Sequence, residues 1–95
     1  VHYAPKKPLI LVNDFSEVKD EPNNAYLIFG EKINVDFERQ FFLSTSKDFY
    51  EAAAKLYAMM RHLDESDFER IIVQRLPDIG LGKAINDRLF RASVK

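Results

Sequence analysis

Residues 41–73 read FFLSTSKDFYEAAAKLYAMMRHLDESDFERIIV, and this stretch decides the fold. An apolar run at residues 41–43 is followed by a segment with helical periodicity, which extends from residue 47 to about residue 64. A run rich in β-branched residues follows at residues 71–73. A strand, a helix and a strand in this order predict a right-handed crossover between two parallel strands. The stretch therefore predicts an α/β domain with a parallel sheet.

One face of the predicted helix is apolar, because apolar residues recur along it every three or four positions. This stripe consists of Phe49, Ala53, Leu56, Tyr57, Met60 and Leu63. Three hydroxyl residues at positions 44–46 precede the helix and are candidate N-caps. Thr45 and Asp48 have the spacing of a capping box. We therefore expect the cap of this helix within residues 44–46.

The remaining apolar runs supply two more strands and a second helix. Leu9–Val12 and residues 25–29 are continuous apolar runs, which are typical of strands covered on both faces. Residues 16–20 predict one helical turn, and residues 31–38 predict irregular backbone. The last helix is expected to begin at Leu81 or Gly82. Its inward face would consist of Leu81, Ile85, Leu89 and Ala92.

The predicted fold class is α/β, with three layers and a mainly parallel sheet of about four strands in the order β-β-β-α-β-α. Continuous apolar strands need cover on both faces, which two helices cannot easily supply. Either the amino-terminal half of the chain or a partner must therefore cover the second face. Pro5 and Pro8 lie within residues 1–8 and predict an extended linker arm, so that residues 9–95 form the folded domain.

Composition restricts the class of protein further. A chain of 95 residues predicts one domain, and its formal net charge of −1 argues against a dedicated nucleic-acid binder. The sequence contains no cysteine, which excludes disulfides, thiol nucleophiles and cysteine metal sites. No apolar run approaches the roughly 20 residues that span a membrane. We therefore expect a cytoplasmic protein without a membrane partner.

The sequence predicts no catalytic residue and no metal site in this chain. His62 lies one position off the apolar stripe and is expected on the surface. His2 is the other histidine, and the two have no acidic neighbours at the spacing of a metal-binding motif. Acidic residues at positions 64, 65, 67 and 69 cluster between helix and strand, where we favour a solvated loop over a cation site.

Gly80, Leu81 and Gly82 open the last helix directly after a strand. Backbone N–H groups at such a position can bind an anion. The pattern is not the dinucleotide-binding Gly-x-Gly-x-x-Gly motif, because residue 85 is isoleucine, and it also lacks the spacing of a P-loop. We favour a tight turn with close helix–strand packing. Anion or nucleotide binding by Gly80, Leu81 and Gly82 is the alternative.

Three segments together resemble one known family. The tail reads IGLGKAINDRLFRA over residues 79–92, the central helix reads AAAKLYAMMRHLD over residues 52–64, and the chain begins with His2-Tyr3-Ala4-Pro5 after Val1. The first two segments resemble the C-terminal accessory domain of long-form threonylcarbamoyl-AMP synthases. The third is similar to the linker that joins this domain to the catalytic domain. The resemblance is weakest between residues 12 and 38.

The resemblance implies a Rossmann-like domain that has no active site of its own. The parent enzyme would be a nucleotidyltransferase that makes threonylcarbamoyl-AMP from L-threonine, bicarbonate and ATP, for tRNA threonylcarbamoyladenosine modification at position 37. Its YrdC-like catalytic domain, outside this chain, would bind ATP and Mg²⁺ and would be the partner of this domain. His2, Tyr3 and Pro5 would be the linker residues that cover the active site. The resemblance implies no direct contact with nucleic acid and no cofactor in this domain.

Three functions follow as hypotheses. The first is a regulatory and docking domain of this synthase, and we favour it. The second is a nucleotide- or anion-binding module that uses the turn at Gly80, Leu81 and Gly82. The third is an oligomerisation domain in which the last helix pairs across a two-fold axis to give a homodimer. Because the chain starts with Val1 rather than methionine, we also expect it to be a piece of a longer polypeptide.

Overall fold

A computed structural model describes residues 3–94 and contains one four-stranded, all-parallel sheet with two α-helices. The helices and strands follow the predicted order β-β-β-α-β-α. They are β1 (Leu9–Val12), β2 (Asn24–Phe29), β3 (Gln40–Ser44), α1 (Phe49–Asp64), β4 (Arg70–Gln74) and α2 (Leu81–Ser93). Two short 3-10 helices, Phe15–Glu17 and Phe37–Arg39, lie in the connections that precede β2 and β3. The predicted α/β class and strand number are confirmed.

The spatial order of the strands is β1-β4-β2-β3. β4 therefore lies between β1 and β2, and Ile71 of β4 pairs with Leu9 on one side and Ala25 on the other. The predicted parallel pairing holds for every neighbouring pair of strands. All four strands consequently begin at one edge of the sheet, the amino edge, and end at the opposite one, the carboxyl edge.

Both helices pack on the same face of the sheet. The buried residues of this core come from all four strands and from both helices. Ala52 is buried although the predicted stripe omits it, and the predicted inward residues Phe49, Ala53, Tyr57 and Leu81 are only partly buried. Leu56, Met60 and Leu63 of α1 and Ile85, Leu89 and Ala92 of α2 are at most 2% exposed. Burial of a leucine, isoleucine or methionine side chain contributes about 1.5–3 kcal/mol.

The second face of the sheet is covered by the connections and not by α-helices. Val12, Tyr26, Ile28 and Ile72 form a separate buried cluster there. Partly buried apolar side chains from the two connections between β1 and β3 pack against this cluster, and they include Phe15, Val18, Ile33 and Val35. The amino-terminal half of the chain therefore provides the cover that the apolar strands require.

An ion pair between buried Arg39 and exposed Asp20 fastens this cover in place. Arg39 donates to both carboxylate oxygens of Asp20 at 2.9 Å and to the backbone oxygen of Glu21 at 3.0 Å. The Tyr26 hydroxyl also donates to Asp20, at 2.5 Å. The hydrogen bonds from Arg39 and then Tyr26 hold the pKa of Asp20 below its usual range. The loop before β2 is thereby tied to the 3-10 helix before β3.

The prediction for the cap of α1 was wrong. Ser44 is still paired within the sheet, and Lys47 has a left-handed φ of 61°, so the helix cannot begin until the chain has passed Lys47. Asp48 is the N-cap, and its carboxylate accepts from the Tyr50 and Glu51 amides at 2.9 and 3.3 Å. Ser44 keeps a supporting role, because its hydroxyl accepts from the Asp48 amide at 2.9 Å.

No helix within residues 3–94 has both the length and the apolar character needed to cross a membrane.

Candidate functional site

The amino-terminal arm is docked at the amino edge of the sheet, against the carboxyl end of α1. Asp64, the last residue of α1, accepts three hydrogen bonds from the arm. The Tyr3 hydroxyl donates to one carboxylate oxygen at 3.0 Å, and the backbone amides of Lys6 and Lys7 donate to the other at 3.0 and 3.1 Å. A single side chain thus fastens both ends of the segment from Tyr3 to Lys7.

Lys7 adds a second attachment to the same helix end. Its ammonium group donates to the backbone oxygen of Leu63 at 2.9 Å and also to the backbone oxygen of Ser66. A cation is favoured here, because the last carbonyl groups of a helix lack partners within the helix and carry partial negative charge. Pro5 lies between these attachments and is fully buried. The described part of the predicted linker therefore belongs to the packed structure of the domain.

The ring of Tyr3 lies between the two helices. The Arg61 guanidinium carbon is 5.7 Å from the ring centroid, which is within the range of a cation–π contact. Tyr3 packs against the main core and lines a small cavity of about 30 Å³ together with Tyr57, Met60 and Ala92. The ring is therefore held by both α1 and α2.

The electrostatics favour an ionised Asp64 with a neutral Tyr3. Partial burial alone would raise the pKa of Asp64, but hydrogen bonds from the Lys7 and Lys6 amides and from Tyr3 lower it below its ordinary value. Burial, together with the hydrogen bond to Asp64, raises the pKa of Tyr3. Tyr3 is therefore the donor and Asp64 the charged acceptor at neutral pH, and the bond between them is charge-assisted.

The structure places the predicted linker residues as follows. Tyr3 and Pro5 both contact the body of the domain, whereas His2 lies outside the described residues. Asp64 was expected in a solvated acidic loop, and for this residue that expectation was wrong. Its neighbours Glu65, Asp67 and Glu69 are exposed as expected. The structure shows no group of three or more metal-binding side chains within residues 3–94.

The turn at Gly80, Leu81 and Gly82 has the geometry of close packing. A Cβ atom on Gly82 would lie 2.1 Å from the Pro77 backbone oxygen and 2.8 Å from the Phe49 ring, so only glycine fits. The Gly82 amide already donates to the Ile79 oxygen at 2.8 Å, and the Lys83 amide to the Gly80 oxygen at 3.1 Å. Two of the donors at this helix start are therefore used within the turn, which favours the packing interpretation.

One further side chain lies where the sequence predicts it. His62 is exposed, with its ring 6.0 Å from that of Phe41. Asp87 and Arg91 form an ion pair one helical turn apart, at 2.8 Å. Such an exposed pair contributes only a few tenths of a kcal/mol. Arg91 also lines the small cavity beside Tyr3.

The fold and the docked arm define a class of protein: a small parallel α/β domain whose amino-terminal segment is fastened to the end of a helix. The family model described as threonylcarbamoyl-AMP synthase, C-terminal domain, matches residues 1–94. The chain therefore belongs to this family, as the resemblance of its three segments indicates.

One curated relative is the threonylcarbamoyl-AMP synthase of Bacillus subtilis (strain 168). It is 29% identical over 102 residues, an alignment that covers 97% of this chain and 30% of the relative. The chain thus spans less than a third of the length of that relative. No solved structure matches the chain with significance.

Proposed function

We propose that this chain is the accessory domain of a threonylcarbamoyl-AMP synthase, and that it holds the linker arm that covers the catalytic site of the same polypeptide. The family match supports the assignment to this enzyme. The relative from Bacillus subtilis supports a two-part arrangement, because most of its length lies outside the aligned region. A YrdC-like catalytic domain, with ATP and Mg²⁺ bound to it, would occupy that remainder.

The docking of the arm on Asp64 is the observation that carries the proposal. Three hydrogen bonds to one carboxylate fix the arm at Tyr3, Lys6 and Lys7. Pro5, which lies between these attachments, is fully buried. The domain therefore fixes the position of the described arm from Tyr3 onward. A fixed starting point lowers the entropic cost of placing a short segment over a neighbouring site.

The proposed reaction gives a physical reason for such a cover. Threonylcarbamoyl-AMP is a mixed anhydride formed from L-threonine, bicarbonate and ATP, and water hydrolyses anhydrides of this kind. A segment that closes over the site excludes water and keeps the intermediate in place until it is passed on. Tyr3 and Pro5 would serve as the anchors of this cover. The product would supply the threonylcarbamoyl group for tRNA modification.

The test uses the full-length polypeptide that contains this chain. Asp64→Ala removes the anchor, and Asp67→Ala removes a carboxylate that is exposed three residues further on. We expect Asp64→Ala to lower the rate of threonylcarbamoyl-AMP formation by about tenfold. Loss of the anchor would displace the cover, and a displacement of 1 Å in a positioned segment can lower a rate by up to about a hundredfold. Asp67→Ala should retain the parental rate.

Thermal melting of both variants shows whether the domain remains folded at the assay temperature. Deletion of the whole domain should lower the rate at least as much as Asp64→Ala does, and adding the domain back in trans should restore little. The proposal is wrong if the folded Asp64→Ala variant and the domain deletion both turn over at the parental rate.

A further inference from the structure

A second feature of the molecule lies at the carboxyl edge of the sheet, on the side away from the docked arm. A crevice of about 380 Å³ opens between the ends of β1 and β4 and the start of α1. The residues that line it include Phe15, Phe29, Lys47, Gln74, Arg75 and Pro77. Its volume lies within the range of small-molecule sites in proteins.

The topology of the sheet explains why a crevice forms there. The chain leaves β1 toward the connection-covered face, where Phe15 packs on Tyr26 with 5.6 Å between ring centroids. The chain leaves the neighbouring strand β4 toward the opposite face, where α2 packs. Two adjacent parallel strands whose connections diverge to opposite faces leave a gap at their carboxyl ends, and ligands of open α/β sheets bind at this point.

The charge at the crevice is positive. Lys47 and Arg75 are both exposed, and none of the residues that line the crevice is acidic. Neither side chain forms an ion pair or a hydrogen bond with the part of the chain that the structure describes. Asp78 is an acidic group near Arg75, but its pKa is lowered first by hydrogen bonds from Lys83 and Asn86 and only weakly by Arg75. The two cations therefore remain available.

Lys47, whose side chain lines the crevice, has a strained backbone. Its φ of 61° is in the left-handed region, which costs a non-glycine residue about 1 kcal/mol or more. The side chain lies against Gly30, where a Cβ atom would be 2.9 Å from the Lys47 Cε. Residues with strained backbone cluster at active sites and ligand-binding segments, so the strain at Lys47 favours a role in binding.

The walls of the crevice supply a further donor and a rigid apolar surface. Gln74 Oε1 accepts from the Phe15 amide at 3.0 Å, while its NH₂ group makes no hydrogen bond within residues 3–94. The Phe29 ring is stacked on Phe49 with 5.1 Å between centroids, which fixes it in place. A cationic pair, an amide donor and fixed aromatic rings together suit a dianion attached to an apolar group.

We propose that this crevice binds a small phosphate-bearing anion, with Lys47 and Arg75 paired to the phosphate oxygens and Gln74 as an additional donor. The site is separate from the turn at Gly80, Leu81 and Gly82, whose amides are partly used within the turn. It does not depend on the arm or on the proposed cover, so the two proposals can fail independently.

The experiment follows backbone amide shifts of this chain by two-dimensional NMR during titration with inorganic phosphate, AMP, adenosine and acetate at constant ionic strength. We expect saturable shifts at Lys47, Gln74 and Arg75 with phosphate or AMP at millimolar concentration. Equal affinity for phosphate and AMP would identify the phosphate group alone as the ligand. Tighter binding of AMP would identify a nucleotide.

The variant Lys47→Gln/Arg75→Gln should weaken binding by about tenfold or more, since hydrogen bonds to charged groups are stronger than neutral ones. The control Lys19→Gln/Lys55→Gln removes the same net charge from exposed lysines elsewhere and should retain the parental affinity. Affinity of the unchanged chain should also fall as sodium chloride is added.

Several results would overturn the proposal. They are an absence of saturable shifts, equal binding of adenosine or acetate, equal weakening in the control variant, and shifts confined to residues 80–82.

Discussion

Charged side chains lie at both edges of the sheet, but they differ in whether they have partners within the described chain. At the amino edge, Asp64 and Lys7 are both bonded, and the chain segment between Tyr3 and Pro8 is fastened over the end of α1. At the carboxyl edge, Lys47 and Arg75 have no such partners within residues 3–94 and face a crevice. The domain uses its amino edge to hold its own chain, whereas its carboxyl edge carries the proposed ligand site. Five predictions test this difference, from the largest expected effect to the smallest.

Gly82→Ala tests whether the wall of the carboxyl-edge crevice is rigid, and it is expected to have the largest effect. The added Cβ would lie 2.1 Å from the Pro77 oxygen. We expect a loss of about 3 kcal/mol or more in the free energy of unfolding, measured by urea denaturation. Ala84→Ser, at an exposed position of the same helix turn, is the control. A loss below about 1 kcal/mol in the free energy of unfolding would show that the crevice wall moves to accommodate the added Cβ atom.

Asn86→Ala tests the second support of this wall. The buried Asn86 side chain accepts from the Leu76 amide at 2.9 Å and donates to the Leu76 oxygen at 2.8 Å. Its removal leaves both backbone groups without partners, which should cost about 2–3 kcal/mol in the same assay. Asp87→Ala changes the neighbouring exposed residue and should have little effect. Similar losses from both variants would contradict the assigned role of Asn86.

Asp64→Ala tests the closed amino edge. We expect about 2 kcal/mol of destabilisation, since three hydrogen bonds to a partly buried carboxylate are lost. Hydrogen exchange at the Lys6 and Lys7 amides should accelerate more than exchange in the core strands. Asp67→Ala serves as the matched control. Unchanged exchange at these two amides would show that the arm is held by other contacts.

The pH dependence of stability gives a further test of Asp64. Its pKa is lowered in the folded state, so its contribution is present above the unfolded value of about 4 and is lost as the pH falls below it. The stability difference between the unchanged chain and Asp64→Ala should therefore be constant near neutral pH and should shrink below about pH 4. A difference that stays constant on acidification, measured by urea denaturation, would exclude this contribution.

Lys47→Gly should have the smallest effect and the opposite sign. Glycine adopts a φ of 61° without strain, so we expect stabilisation of about 0.5–1 kcal/mol after the entropy cost of glycine is included. The same change removes a cation from the crevice and should weaken phosphate binding. Lys47→Gln is the companion variant, because it removes the charge and keeps the strain. Destabilisation by Lys47→Gly would show that the lysine is kept for packing.

Much of the fold could be predicted because it depends on local patterns. The apolar runs identified the strands, and the periodicity of α1 and α2 identified the buried faces around Leu56 and Leu89. The order of strands could not be predicted, since no local signal states that β4 lies between β1 and β2. The cap at Asp48 was missed, because the left-handed turn at Lys47 delays the start of the helix.

The candidate site was only partly predictable, because it depends on contacts between residues that are far apart in the sequence. Tyr3 and Pro5 could be identified through the family resemblance of the linker. The role of Asp64 could not, because its hydrogen bonds join residues 57 to 61 positions apart in the chain. The only signal was its place at the end of the helix motif that contributes to the resemblance. The crevice at Lys47 and Arg75 likewise requires the spatial order of the strands.

The most direct measurement of the central claim is a double-mutant cycle in the full-length polypeptide. The variants Tyr3→Phe, Asp64→Asn and their combination are compared by the rate of threonylcarbamoyl-AMP formation. If the arm works through its attachment to Asp64, each single change lowers the rate and the combination lowers it no further than the more severe single change. Parental rates in both single variants, or losses that multiply in the combination, would contradict the account.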